Sequence, residues 1–153
     1  MRDALLRTLA AVAPGSRIVV LGLADEALPA DLARLGFDVW ASGPTHVEAS
    51  RAAMAEVVAD ASDRITSARL DALGYPDAYA DWVVVPALTP GESLAEARRV
   101  LRDGGWIWLA LDGDTDAALA LADAHDLAIA ETPTEHGERV RVILRRTDGD
   151  AIA

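Results

Sequence analysis

Cysteine is absent from this 153-residue chain, and so are lysine, asparagine and glutamine. Without cysteine there are no disulfides, no thiolate metal sites and no thiol nucleophile, which also removes cytosine C5 chemistry. Without lysine there is no P-loop, whose Gly-x-x-x-x-Gly-Lys run is missing, and no receiver domain, which needs a Lys beside its phosphoacceptor Asp. The dinucleotide fingerprint Gly-x-Gly-x-x-Gly is missing too. No apolar run reaches the ~18 residues of a membrane span, and the first residues lack the basic-then-apolar order of a signal peptide. No two of the three histidines stand at metal-ligand spacing, so no metal is expected. All 14 basic residues are arginine, against 25 acidic ones, for a formal net charge of −11. Such a surface repels phosphate backbones, so no nucleic-acid partner is expected. A high-GC coding bias accounts for this composition; a high-salt habitat would suit it as well. A cytoplasmic protein with no membrane association is the default expectation.

What the chain has is a core. Hydrophobic residues make up 52%, which excludes disorder, and the length fits one domain, residues 1–146, with a frayed tail at 147–153. An amphipathic helix over 2–13 opens the chain and Pro14-Gly15 end its N-terminal segment, 1–14. A short apolar, β-branched run at 17–21 predicts a buried parallel strand. Leu28, Leu32 and Leu35 predict a helix over 26–35, closed by Gly36 as a left-handed cap. A strand follows at 37–41. Thr45 and Glu48 read as a capping box for a helix to about 59. A weak edge strand falls at 64–68, a loop at 69–80 and the strongest strand at 81–86. Thr89, Pro90 and Glu92 read as a second capping box, with Pro at N1, for a helix to 102. Gly104-Gly105 turn into a strand at 106–111, and a helix spans 114–125. Two strands, 127–131 and 138–145, end the pattern.

Strands alternating with helices predict an α/β, doubly wound, three-layer α/β/α sandwich. The last two strands are separated by about six residues, 132–137. That is too few for a crossover helix, so the final strand must be antiparallel. Five βα units closed by a hairpin resemble the class I S-adenosylmethionine (SAM) dependent methyltransferases over residues 15–146. Four segments carry the resemblance in order. They are the strand-turn-helix frame around Gly22, Asp71-Ala72, the strand from Ala80 to Val85, and Leu94 to Leu109 with its Gly104-Gly105 pair. The resemblance implies a seven-stranded sheet in the order 3-2-1-4-5-7-6. It also implies SAM as cofactor, with Gly22, Ala24, Gly43, Asp71, Ala72 and Pro86 around it and Asp71 at the adenine amino group. No catalytic residue can be named.

The departures from that family are specific. Its acid-x-Gly-x-Gly-x-Gly motif falls on Val20, Gly22, Ala24 and Glu26. Its ribose-binding acid falls on Gly43. Glu26 is expected to project beside a ligand carboxylate, an unfavourable pairing of like charges. These departures predict a methyltransferase-like protein with lost or strongly altered SAM binding, serving as a non-catalytic binding or assembly module. The alternative is an active, divergent methyltransferase acting on a small molecule. The segment after the fourth strand, from Val85 to Pro90, lacks Asn/Asp-Pro-Pro-aromatic, so amino-methylation of nucleic-acid bases is not expected. The expected partner is a small-molecule ligand or a protein, and a homodimer stays open.

Other polar residues have structural readings. Asp25 and Glu26 suit a helix start, where acids interact favourably with the dipole. His46 falls near the strand C-termini, where ligands bind in such sheets, and reads as a solvated histidine before a general base. His125 and His136 fall outside the expected cleft. Trp106 and Trp108 share one face of their strand and are expected to pack against a helix, with Trp40 and Trp82 as core or cleft wall.

Overall fold

The central strands of the sheet are buried on both faces and are accordingly apolar. The computed structural model describes residues 2–148. Seven strands are β1 Arg17–Leu21, β2 Asp38–Gly43, β3 Ile65–Ser67, β4 Ala80–Leu88, β5 Leu101–Asp112, β6 Leu127–His136 and β7 Arg139–Arg146. They lie in the order β3-β2-β1-β4-β5-β7-β6. Only β7 is antiparallel to its neighbours, as the short final connection requires. Six helices flank the sheet: α1 Arg2–Leu9, α2 Leu28–Arg34, α3 Val47–Ala55, α4 Ala61–Arg64, α5 Ala95–Val100 and α6 Thr115–Ala124.

Side chains alternate between two cores. Ile18 and Val20 of β1 join Leu5 and Leu9 of α1, Leu32 of α2 and Met54 of α3. Val19 and Leu21 point the other way, to Leu94, Ala97 and Val100 around α5 and Ala118 and Ala122 of α6. Trp108 is buried in the first core and Trp106 packs against it, so both share a face as expected. Trp106 also stacks on Trp82, centroids 5.3 Å apart.

Several local expectations give way to tertiary demands. Helix α1 stops at Leu9 rather than 13, and α2 starts at Leu28 rather than 26. Thr45 caps nothing: His46 occupies the N-cap position at φ 63°, without a side-chain cap bond. Thr89 and Glu92 do pair, the Thr89 N–H and Oγ1 both donating to Glu92 Oε1 at 2.8 and 2.6 Å. They close a loop instead of starting a helix, and α5 begins only at Ala95 behind Leu94. Leu94 is fully buried there, and its N–H donates to His125 Nε2. Residues 103–105 are part of β5, where the pairing skips from Ala80↔Leu101 to Trp82↔Trp106. This is a bulge, which bends and twists a strand locally. Strand β6 runs to His136, so the final connection is two residues, not six.

The largest departure from five βα units is the absence of a helix between β3 and β4. The 69–80 stretch is the predicted loop, and it covers its half of the sheet with aromatic rings. Tyr75 stacks on Tyr79 at 5.8 Å, and Trp40 meets Tyr79 edge-on at 5.9 Å. The Arg17 guanidinium lies 4.1 Å from the Tyr79 ring centre, a cation–π contact.

The N-terminal edge of the sheet is pinned by two carboxylates. Asp38 accepts from Arg17 Nε at 2.9 Å, from Trp40 Nε1 at 3.1 Å and from Arg64 Nη1. Asp81 accepts from the Arg17 N–H and from Arg102 Nε, both at 2.8 Å. Burial raises the Asp38 carboxyl, but the hydrogen bonds and charges of Arg64 and Arg17 outweigh it, so its pKa falls below the ordinary value of 3.8. At the far end of the chain Asp148 is held by Arg98 and Arg146, both at 2.6 Å. Residues 149–153 of the expected frayed tail lie outside the described residues.

Two stability outcomes are expected. A Cβ at Gly105 would stand 2.6 Å from Leu101 Cδ1 and 2.9 Å from the Asp81 carbonyl oxygen. Gly105→Ala is therefore expected to lose about 1–3 kcal/mol in urea unfolding; an unchanged midpoint would show that the bulge relaxes freely. Asp38 is depressed in the folded state, so its contribution is present above its unfolded pKa and fades as pH falls through the folded one. Asp38→Asn should cost about 1–2 kcal/mol at pH 7, with the gap to the parent narrowing below about pH 4. A pH-independent gap would rule out the carboxylate charge as its source.

Candidate ligand-binding cleft

In a parallel sheet the loops after the strands gather at one edge, and ligands bind there. Here the loops after β1, β2, β3 and β4 surround a cavity of about 760 Å³. Gly22 follows β1 at φ +125°, a conformation open to glycine and strained for other residues. Its N–H donates to the Ser42 carbonyl at 2.8 Å, which ties the first two loops together. Apolar surface comes from Leu21, Ala68, Leu70 and Leu73, and polar groups come from Ser42, Asp71 and Glu92.

Of the residues singled out from sequence, Gly22, Gly43 and Asp71 line this cavity. Ala24, Ala72 and Pro86 do not. Ala24 and Ala72 are exposed on their loops. The reason at the first loop is Leu23, which turns inward and is buried, so that Ala24 faces out. Pro86 stands behind the cavity wall, its Cδ 3.8 Å from where a Gly22 Cβ would be, and Ala87 lines the cavity in its place. Asp71 is exposed and meets Arg69 at 3.3 Å.

Gly43 is not in a left-handed conformation. Its constraint is space: a Cβ there would lie 3.0 Å from Leu23 Cγ and 3.2 Å from the Leu23 nitrogen. Glu26 corrects the expectation of an intruding carboxylate. It is outside the cavity lining, half exposed, and its Oε1 lies 2.8 Å from His46 Nδ1. Its backbone carbonyl accepts from Ser50 Oγ at 3.0 Å. His46 thus bridges the first two loops at the rim. His125 is structural, with Nδ1 on the Leu121 carbonyl and Nε2 accepting from the Leu94 N–H. His136 ends β6, away from the cleft.

Sequence reasoning missed two features. The first is a hydroxyl cluster: Ser42 Oγ is 2.8 Å from Thr66 Oγ1 and 2.6 Å from Tyr75 OH. Burial raises the Tyr75 phenol above its ordinary value, and its bonds to Ser42 and Thr66 offset only part of this. A serine at the end of an apolar strand was the available signal. The second is the clamp on the loop carrying Asp71. Arg99 donates to the carbonyls of Leu73 and Tyr75 at 3.2 and 2.9 Å and pairs with Asp77 and Glu96. Glu96 also accepts the Leu73 N–H at 3.0 Å. The hydrogen bonds from Arg99 and Leu73 hold the Glu96 carboxyl below the usual range. Among the described residues no group of acidic and histidine side chains could hold a metal ion, and no helix is long and apolar enough to cross a membrane.

No family model and no curated protein sequence matches the chain. Solved structures do. A TehB-like SAM-dependent methyltransferase from Corynebacterium glutamicum is 17% identical, covering 95% of this chain and 88% of that one, with a TM-score of 0.75. A SAM-dependent methyltransferase from Methanosarcina mazei is 11% identical over 92% of this chain and 97% of that one, with a TM-score of 0.70. One from Aquifex aeolicus is 12% identical over 94% and 88%, with a TM-score of 0.63. At these identities the likeness is one of architecture, and it extends over nearly the whole chain: with its sheet order β3-β2-β1-β4-β5-β7-β6, the chain has the fold of the class I SAM-dependent methyltransferases.

Proposed function

We propose that this chain is a non-catalytic binding module built on the methyltransferase fold, with SAM binding lost or strongly weakened. One observation carries the reading. Gly43 stands where the family resemblance asks for the carboxylate that accepts the ribose hydroxyls, and a side chain there would press on Leu23, its Cβ 3.0 Å from Leu23 Cγ and 3.2 Å from the Leu23 nitrogen. The other acids lining the cavity do not substitute. Asp71 faces Arg69, and the Glu92 carboxylate is taken by Thr89. The residues present therefore do not fit SAM.

A second reading, an active divergent methyltransferase with a small-molecule acceptor, is favoured by one fact. Glu26 is turned to His46, which leaves the cavity open and large enough for a cofactor of that size.

Calorimetry separates the two. The unmodified protein is expected to bind SAM with a dissociation constant weaker than about 100 µM. A value of about 10 µM or tighter, near −7 kcal/mol, would overturn the non-catalytic reading.

The cause is testable as well. Gly43→Asp alone should destabilise the fold and leave SAM affinity essentially unchanged, because the new side chain meets Leu23. Leu23→Ala together with Gly43→Asp removes the two side-chain contacts, Leu23 Cγ and Cδ1, and leaves only the backbone nitrogen at 3.2 Å. A charge-assisted hydrogen bond of about 1.5–3 kcal/mol then raises SAM affinity at least roughly tenfold. The Leu23→Ala change itself costs about 2–5 kcal/mol of stability, so folding is confirmed by circular dichroism before titration. A folded double variant that still ignores SAM would show that the ribose position is not what limits binding.

A further inference from the structure

A second cavity, of about 600 Å³, opens at the opposite edge of the sheet from the cleft. Asp81 and Arg102 of its wall stand at the starts of β4 and β5, whereas the cleft lies beyond the strands' C-terminal ends. Its volume is in the range of small-molecule sites. Most of the wall is apolar: Val12 from the turn after α1, Trp82 and Trp106 from β4 and β5, and Ala130 and Ile143 from the final hairpin.

Two charges beside this wall are uncommitted. Asp81 already accepts from the Arg17 N–H and from Arg102 Nε, both at 2.8 Å. Glu131, the other acid of the lining, has no hydrogen-bond or ion-pair partner among the described residues. Arg145 lies over the Trp106 ring, its guanidinium carbon 5.4 Å from the ring centre, and it too has no carboxylate partner among the described residues. Its neighbours differ, since Arg102, Arg139 and Arg146 each hold an acid.

Strand register brings these two charges to one place. Glu131 stands opposite Ile143, and Arg145 is two residues on from Ile143, so both lie on the same face of the sheet. Diagonal neighbours of this kind sit roughly 7–8 Å apart, within reach of long side chains. A plain anion there would meet Glu131 and a plain cation would meet Arg145. A ligand carrying both signs on adjacent groups satisfies the two at once, and an apolar body on the same ligand suits the wall.

We propose that this cavity binds a free α-amino acid with an apolar side chain. Glu131 takes the ammonium, Arg145 takes the carboxylate, and the side chain enters the space lined by Val12, Trp82, Trp106 and Ile143. The site is separate from the cleft, so the proposal does not rest on the non-catalytic reading.

The test is calorimetry of the full chain against L-leucine, L-methionine, L-phenylalanine and L-tryptophan, each beside its N-acetyl and its amide derivative. At least one amino acid should bind more tightly than about 1 mM. Acetylation removes the ammonium and amidation removes the carboxylate, so each derivative of that amino acid should bind about fivefold more weakly. Glu131→Gln should weaken the amino acid by about the same factor and leave the N-acetyl form unchanged. Arg145→Gln should do the same and leave the amide unchanged. Both side chains are exposed, so both variants are expected to fold. Three results would overturn the proposal: none of the four amino acids binding more tightly than about 1 mM, equal affinity for an amino acid and its two derivatives, or full affinity in the folded variants. SAM carries the same pair of charges, so any SAM affinity lost in Glu131→Gln belongs to this cavity and not to the cleft.

Discussion

Everything in this structure depends on the parallel pairing of β1 with β2 and β4. These strands are apolar on both faces because both faces are buried, and each successive residue serves the opposite core. Parallel pairing aligns the C-terminal ends of the strands, so the loops after β1, β2 and β4 must meet. The cleft is the direct consequence. Its polarity is then set by whichever side chains close those loops, and here they are Gly22, Ser42, Gly43 and Ala87.

The opposite edge shows how a strongly acidic chain organises its few cations. Asp38 and Asp81 collect Arg17, Arg64 and Arg102 at the starts of four strands, β1, β2, β4 and β5, and beside β3. Guanidinium groups suit this work, since one can serve two acceptors and still lie over a ring, as Arg17 does on Tyr79. Arg99 does the equivalent for the 69–79 loop by holding two of its carbonyls. The loop can therefore dispense with a helix, and its aromatic rings supply the cover that a helix would have given.

The first two loops crowd together at one point. Leu23 is buried under Gly43, so the loop after β1 packs into the core where a glycine-rich loop would leave space for a ligand. The same inward turn sends Ala24 to the surface, and Glu26 leaves the cavity to meet His46. Gly43 and the hydroxyl cluster one residue earlier thus lie together where the first two loops meet.

Periodicity and turn chemistry in the sequence determined the strands, their order of appearance and the antiparallel last strand, because apolar runs and short connections act locally. The resemblance to the methyltransferases, and not periodicity, pointed to Gly22, Gly43 and Asp71, which line the cleft at the end of β2 and in the loops after β1 and β3. Periodicity and turn chemistry failed where a local signal competes with packing. Thr45 and Glu48 form a capping motif in sequence, yet His46 takes the cap position because Glu26, twenty residues away, holds its ring. Thr89 and Glu92 pair as the motif says, but burial of Leu94 delays the helix to Ala95. The direction of Glu26, the inward turn of Leu23 and the meeting of Ser42 with Thr66 and Tyr75 were decided by tertiary structure alone. Each depends on contacts between segments far apart in the chain, and no spacing within one segment encodes them.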